Sequence, residues 1–516
     1  MPDASSATRL SAVRARAAGV EVGVFAVALL ARLAVRLGGG GLTALSSYDP
    51  GVYYAAGDAL GFGRLPYRDF VFLHPPAIIV VLTPFTWFGR LTSDLAGFVA
   101  ANLAFMALGA VNAVLVVRLA RRLGLGTRAA VAGGLTYALW FGAVGAEYGV
   151  RLEPLGNLFA LLGLLAFVRA RTAHAGRPAL WCGAAFGAAA AVKIWWAVPL
   201  VVVLGWLLAD RRSRQVGAFL LGAAGALAVI CGPFFLAAPR QMFDMVITEQ
   251  LGRNITGSPL DRLAELSTLR PATSHPAPAL IVVWLVVVAA VLAVVCRFAL
   301  RVRAARPFLV LAGAQLLVLL AAPAWFGFYA DYLAPALAIT VAAAVAGASR
   351  AAVAGTGRVS APRAASRRRL LPVVLAPLVI VALTTAAALV QASRADRHAF
   401  PGQRLARAMG AQHCVMSDAP GALIGLRVLS RDLGHGCANW IDVSGRTYGA
   451  DRAGRDASRR ANARWQRDLL SYLRSGQAII LVRPRATGVD ASTMRAIRQG
   501  GALVRDGGYV IWRVRR

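Results

Sequence analysis

The stretch "RLARRLGLGTR" (residues 118–128) separates two long apolar runs, 95–118 and 128–146. It holds four arginines and no acid. Basic residues collect in the short loops on the cytoplasmic side of a membrane. If the flanking runs are spans, this loop is an inside loop and fixes the sidedness of everything around it. Working outward, the same signature returns in "RARTAHAGR" (169–177), "ADRRSRQ" (209–215), "CRFALRVRAARP" (296–307) and the Arg-rich 350–369. Between them lie apolar runs near 18–37, 95–118, 128–146, 154–169, 178–192, 194–209, 215–237, 277–296, 307–323, 331–348 and 371–391. A span needs about 20 apolar residues, somewhat fewer where the helix is short. The pattern predicts about eleven spans, with the N-terminus in the cytoplasm and the chain emerging outside after the last.

Composition agrees. The 516 residues are 58% hydrophobic, and the mean hydropathy is +0.61. One or two soluble cores cannot hide that much apolar surface, whereas lipid can. The net charge of +33 follows from 56 Lys+Arg against 23 Asp+Glu. Its concentration in the inside loops speaks for membrane topology rather than nucleic-acid binding. Lys193 is the one lysine in the chain. With the abundance of Ala and Gly, that preference for Arg points to a GC-rich bacterial genome and a bacterial plasma membrane. The first apolar run carries Glu21, Arg32 and Arg36 and reads as a membrane helix, not a cleaved signal.

Two regions depart from the alternation. The first, 38–94, is the first external loop. It contains the run "AIIVVLTPFTWFG" (77–89). Counting that run as a crossing would put every Arg cluster outside, so it reads as a helix lying in or dipping into the outer leaflet. The second, 392–516, is polar. Its short apolar runs "AIILVR" (478–483) and "YVIWRVR" (509–515), with the amphipathic "RWQRDLLSYLRSG" (464–476), predict a small extracytoplasmic α/β domain. The chain thus divides into an all-α polytopic membrane domain (1–391) and that C-terminal domain (392–516). Cys182, Cys231 and Cys296 fall in apolar helices as small core residues. A disulfide between Cys414 and Cys437 fits an oxidising exterior, although spacing alone does not set its geometry.

The external loops are where charge concentrates without an inside-loop reason. "SSYDPGVYYAAGDALGFGRLPYRDFVFLHPP" (46–76) brings Asp49, Asp58 and Asp69 among tyrosines. A carboxylate just outside the bilayer can serve as general base toward a hydroxyl. Asp58 and Asp69 have Arg64 and Arg68 nearby as ion-pair partners, and the tyrosines also suit an interfacial belt.

An inside-start helix, an external loop opening with Asp, and a "PY.DF…HPP" element before an apolar run resemble the GT-C class of polyprenol-dependent membrane glycosyltransferases. The branch it is most similar to holds the protein O-mannosyltransferases and the bacterial lipid A aminoarabinose transferases. The resemblance implies that Asp49 is the catalytic carboxylate. His74-Pro75-Pro76-Ala77 stands where the family has Lys-Pro-Pro-Leu, and Asp49-Pro50 where it commonly has Asp-Glu. Further matches run along the outer side. "RLEPLGNLFALLGLLAF" (151–167) offers Arg151 and Glu153, and "AAVKIWWAVP" (190–199) offers Lys193. "TEQLGRNITG" (248–257) offers Arg253, and "FGFYADYLAP" (326–335) offers Asp331 and Tyr332. Lys193, Arg253 and Arg151 are the implied ligands of a donor phosphate. Tyr53, Tyr54, His74, Glu153, Asp331 and Tyr332 are the implied substrate contacts.

The expected partners are a polyprenyl-phosphate sugar, a lipid, glycan or protein acceptor, and the surrounding lipid, with no nucleic acid. No metal or other cofactor is implied, since the histidines are scattered and no ligand-spaced cluster appears. Two other readings compete, a transporter or flippase of lipid-linked intermediates and a non-catalytic envelope scaffold. The first would be marked by inverted repeats or matched helix breaks, neither of which is seen. The second would not need a carboxylate-rich first loop.

Overall fold

The computed structural model describes residues 4–45, 47–173, 176–273, 276–354, 379–387, 390, 400–446 and 459–515. Among them seven helices are long and apolar enough to cross a membrane: Ala15–Gly38, Asp94–Arg122, Leu152–Thr172, Ser213–Ala237, Pro278–Ala299, Arg303–Ala321 and Gly327–Ala351. An eighth is counted if the bent pair Thr127–Leu139 and Phe141–Glu147 is one span. The expected count of about eleven is therefore not reached by length and composition. The expected run 128–146 breaks at Trp140, whose extended backbone (ψ 124°) turns the helix by 52°. The runs at 178–192 and 194–209 fold as Gly176–Ala190 and Ala197–Ala209, parted by an extended Lys193 and a short 3-10 turn. At 1.5 Å per residue, helices of 15 and 13 residues are only about 22 and 20 Å long. Most of the run 371–391 lies outside the described residues.

Packing in the bundle follows from small residues. Lipid removes the hydrophobic drive between helices, so close backbone approach supplies the contact energy. A Cβ on Gly183 would lie 1.9 Å from the carbonyl oxygen of Phe219, and one on Gly222 would lie 2.0 Å from that of Leu180. These glycines let Gly176–Ala190 and Ser213–Ala237 touch backbone to backbone. The charges of the first helix, α1 (Ala4–Gly38), find partners rather than lipid. Glu21 accepts from Arg118 (2.7 Å) and Arg121 (2.9 Å). Arg32 pairs with Glu147 at the end of the bent pair.

The first loop is mostly helical. Helix α2 (Asp49–Gly61) is buried along most of its length, and α3 (Ala77–Leu91) packs beside it. α3 buries Ile78, Ile79 and Leu82 and exposes Val80, Trp87, Phe88 and Leu91. Its fifteen residues are short for a span. Asp58 pairs with Arg90 of α3 (2.8 Å), not with the expected Arg64. Asp69 does pair with Arg68 (2.8 Å).

The C-terminal region from Gly402 onward is α/β. Its four strands are β1 (Val415–Ser417), β2 (Ala478–Ile480), β3 (Ala502–Asp506) and β4 (Tyr509–Arg513), in spatial order β1-β2-β4-β3. β1 and β2 are parallel, and the other pairs are antiparallel. The two apolar runs read from sequence become neighbours, with Ile479 opposite Trp512. The amphipathic helix Ala463–Arg474 buries Trp465, Leu469, Tyr472 and Leu473. Cys414 and Cys437 are disulfide-bonded, their Cα atoms 5.3 Å apart.

This region is seated on the first loop. One apolar cluster runs from Val52, Tyr54 and Phe98 through to Leu423, Ile424 and Ile511. Each fully buried large side chain there contributes about 1.5–3 kcal/mol. Polar contacts fix the orientation. The Ser430 hydroxyl lies 2.7 Å from Asp58 and 2.5 Å from Asp94, and Arg64 donates to the Cys437 carbonyl (3.0 Å).

Candidate active site

Asp49 is the first residue of α2, followed by Pro50. Proline suits a first helical turn because its missing N–H would have no partner there. The helix N-terminus favours a carboxylate. Arg151, on the connection into Leu152–Ala173, donates to Asp49 Oδ2 (2.5 Å) and to Ser47 Oγ (2.6 Å). Its guanidinium lies 3.9 Å above the Phe328 ring. Among the described residues Asp49 Oδ1 carries no hydrogen bond. The Asp49 side chain is 32% exposed, against 7% for Arg151. The acid is thus gripped from behind and open in front.

In front is a cavity of about 1080 Å³ between the membrane helices, the first loop and the C-terminal region. Asp49, Tyr53, His74, Lys193 and Arg253 all line it. Lys193 sits where the helix breaks between Ala190 and Ile194, so its ammonium reaches the cavity rather than lipid. It donates to Glu153 Oε1 (2.8 Å) and lies 3.7 Å from the Trp195 and Tyr329 ring centroids. Burial pushes this ammonium down to about 8, with Glu153 opposing and Arg253 adding to the fall. Among the described residues Arg253 has no carboxylate within ion-pair distance. His74 is held well below its usual range, first by burial and then by the charges of Arg253 and Lys193, so it is neutral. Its ring stands edge-on to Tyr53 (6.0 Å) and Phe72 (6.1 Å). Tyr67 ties this loop by donating to the His74 carbonyl (2.6 Å).

Other residues expected at the site are elsewhere. Arg151 and Glu153 stand one contact behind it, the first holding Asp49 and the second Lys193. Tyr54 is fully buried between α2 and Phe98, 5.7 Å from that ring. Tyr332 donates to the Trp195 carbonyl (2.8 Å) and packs on Trp196. Asp331 accepts from Asn157 (3.0 Å), inside a chain of hydrogen bonds that continues through Tyr137 to Glu147 and Arg32. These three face the protein interior because they lie on the far sides of their helical stretches, while Tyr53 and Tyr329 of the same stretches line the cavity.

The far wall has no counterpart among the residues expected from sequence. Tyr48, beside Asp49, donates to Asp442 Oδ1 (2.9 Å) and accepts from the Ser444 N–H (2.9 Å). Asp442 is pushed up by burial, which outweighs its hydrogen bonds from Gly445 and Tyr48. Arg446, Arg459, Arg460, Arg483 and Arg485 also line the cavity from this side. Nothing in "DVSG" (442–445) or in scattered arginines announces that they converge.

Residues 83–234 match the family model described as dolichyl-phosphate-mannose-protein mannosyltransferase. No curated protein matches by sequence. The fold is similar to that of ArnT from Cupriavidus metallidurans in the apo state, with a TM-score of 0.59 at 18% identity over 96% of this chain and 98% of that one. ArnT bound to undecaprenyl phosphate gives a TM-score of 0.57 at 18% identity, over 96% and 97% of the two chains. The oligosaccharyltransferase of Archaeoglobus fulgidus, tethered to an acceptor peptide, gives 0.53 at 12% identity, over 89% and 68%. Fold and family match together bear out the resemblance read from sequence, to GT-C polyprenyl-phosphate-sugar transferases of the protein O-mannosyltransferase and aminoarabinose transferase branch. They agree, with the seven long apolar helices, with the reading of the chain as a multi-pass membrane protein.

Proposed function

We propose that this protein moves a sugar from a polyprenyl-phosphate donor to a cell-envelope acceptor outside the cytoplasm, with inversion at the anomeric carbon and Asp49 as general base. The observation that carries the reading is that a half-open carboxylate, Asp49, and two cations, Lys193 and Arg253, line one cavity. ArnT is known in a form bound to undecaprenyl phosphate, and a fold so similar supports a lipid phosphate here.

The roles derive from the contacts. The acceptor hydroxyl attacks the anomeric carbon, and Asp49 Oδ1 takes its proton. The bond from that carbon to the phosphate oxygen breaks, and the lipid phosphate leaves with the electron pair. Its charge grows in the transition state, where preplaced cations stabilise it most. Lys193 and Arg253 supply them. Arg151 fixes the Asp49 carboxylate by one oxygen, which leaves the other for the proton. Glu153 and the two aromatic rings hold Lys193 in place without filling its outward side. Direct displacement by a lone base inverts the configuration. In this reading the N-terminus is cytoplasmic in a bacterial plasma membrane, and residues 392–516 form an extracytoplasmic domain.

The test is sugar transfer by membranes containing the wild type or Asp49→Asn. Labelled polyprenyl-phosphate sugars are offered with cell-envelope extract as acceptor. Transfer that the substitution abolishes at unchanged expression supports the reading. Equal transfer by both forms removes Asp49 from the mechanism.

A further inference from the structure

The cavity is lined by seven cationic side chains and three carboxylates. Two of the carboxylates are already committed, Asp49 to Arg151 and Asp442 to Tyr48 and the Gly445 N–H. Two of the cations, Lys193 and Arg253, belong to the membrane wall. The other five, Arg446, Arg459, Arg460, Arg483 and Arg485, belong to the C-terminal region. Among the described residues none of those five has a carboxylate within ion-pair distance. One leaving phosphate needs only the membrane pair.

Three of the five are held in place by their surroundings. Arg459 is pinned by the carbonyls of Thr487 (2.9 Å), Ser444 (2.8 Å) and Ala486 (3.2 Å). Arg483 lies over the Tyr48 ring (4.7 Å) and Arg446 over Trp440 (4.0 Å). Arg460 and Arg485 are exposed, and neither guanidinium makes a hydrogen bond or ion pair among the described residues. Like charges gathered at one wall repel one another, which costs stability unless an anion arrives to offset it. Guanidinium forks match carboxylate and phosphate geometry. The volume, about 1080 Å³, also exceeds what a single donor sugar fills.

We infer that the C-terminal arginines form a second anion subsite, and that the acceptor is an acidic saccharide whose phosphate or carboxylate group docks there. This rests on the transferase reading above. Tyr48 links the two halves. Its hydroxyl is held by Asp442 and Ser444 of the arginine-bearing wall, while its chain neighbour is Asp49. An acceptor anchored by its acid on Arg460 and Arg485 presents its hydroxyl to the base, with the lipid phosphate on the opposite side at Lys193 and Arg253.

The experiment uses the full chain in phosphatidylcholine nanodiscs, so that no lipid acid competes. Four probes are titrated at low and high salt: undecaprenyl phosphate, an oligogalacturonate, a glycerol-phosphate oligomer and a neutral galactan oligomer of equal length. The wild type should bind at least one acidic oligomer tenfold or more tightly than the neutral one, and salt should erase the difference. The two acidic probes separate carboxylate from phosphate. Arg460→Gln/Arg485→Gln should cost that oligomer at least tenfold and leave undecaprenyl phosphate within twofold. Arg253→Gln should do the reverse. The inference is overturned if the double variant weakens undecaprenyl phosphate as much as the oligomer, which would assign these arginines to the donor. It is overturned equally if neither acidic oligomer outbinds the neutral one. Failure of undecaprenyl phosphate alone to bind would sink the donor reading and leave the acidic subsite standing.

Discussion

Two charge clusters sit within a few residues of each other in sequence, and they behave in opposite ways. Glu147 ends one half of the bent helix pair, and Arg151 and Glu153 stand at the entrance to the next membrane helix. Glu147 is saturated: Arg32 reaches one oxygen (2.8 Å from Nε), and Tyr137 (2.8 Å) and Asn112 (3.5 Å) reach the other. Both Arg32 and Glu147 are fully buried. Arg151 and Glu153 instead serve partners that face the cavity, and atoms are left over. Asp49 Oδ1 is unengaged among the described residues, and Glu153 Oε2 is buried without a partner. A carboxylate engaged through both oxygens pins helices together. One with an oxygen left over, next to a wet cavity, holds chemistry in reserve.

That contrast can be broken most sharply at Asp49. Asp49→Asn keeps the Arg151 contact sterically but cannot accept the proton. Transfer should fall by about 10²–10⁴-fold, as expected for loss of a general base, with unfolding temperature little changed. A loss of stability of the same order would put Asp49 with the structural cluster. Arg32→Met should do the opposite, leaving Glu147 buried and uncompensated. The cost is about 3–5 kcal/mol, read as a lower midpoint in detergent, and Arg32→Met/Glu147→Gln should recover much of it. No recovery would mean that Arg32 acts through contacts other than Glu147.

The disulfide tests the C-terminal region independently. It closes a loop of 23 residues, so Cys414→Ser/Cys437→Ser should cost about 3 kcal/mol. The wild type under reductant should lose the same amount. Neither change should alter donor binding, and a drop in undecaprenyl phosphate affinity would show that this region's fold shapes the donor wall.

The smallest expected effect is a pH dependence. Lys193 is depressed to about 8. It is charged below that value and loses its proton, and its attraction for phosphate, as pH rises through it. Donor affinity should therefore fall by a few-fold to tenfold above about pH 8, and Lys193→Arg should flatten the profile because guanidinium stays charged. An unchanged slope in the arginine variant would assign the titration to another group.

Much of this was legible in the sequence. Arg-rich loops and apolar runs disclosed a multi-pass helical membrane protein, because charge is expensive in lipid. The alternation of short apolar runs after 392 disclosed an α/β unit, because strands and amphipathic helices have different periods. Asp49, Lys193 and Arg253 could be named because the resemblance to GT-C transferases singled them out among the charged residues of the outer side. Tyr54, Asp331 and Tyr332 could not be told apart from them, since a motif does not say which way a helix face turns.

Tertiary structure decided the rest. It turned one expected span into a helix bent by 52° and two others into short helices flanking Lys193. It gave Asp58 to Arg90 and Asp49 to Arg151, 102 residues away. It also brought five arginines from the end of the chain to face an aspartate near its start. Composition and period report on the solvent each residue needs, which is local. Partnership between charges depends on where distant backbones meet, and only the packed chain settles that.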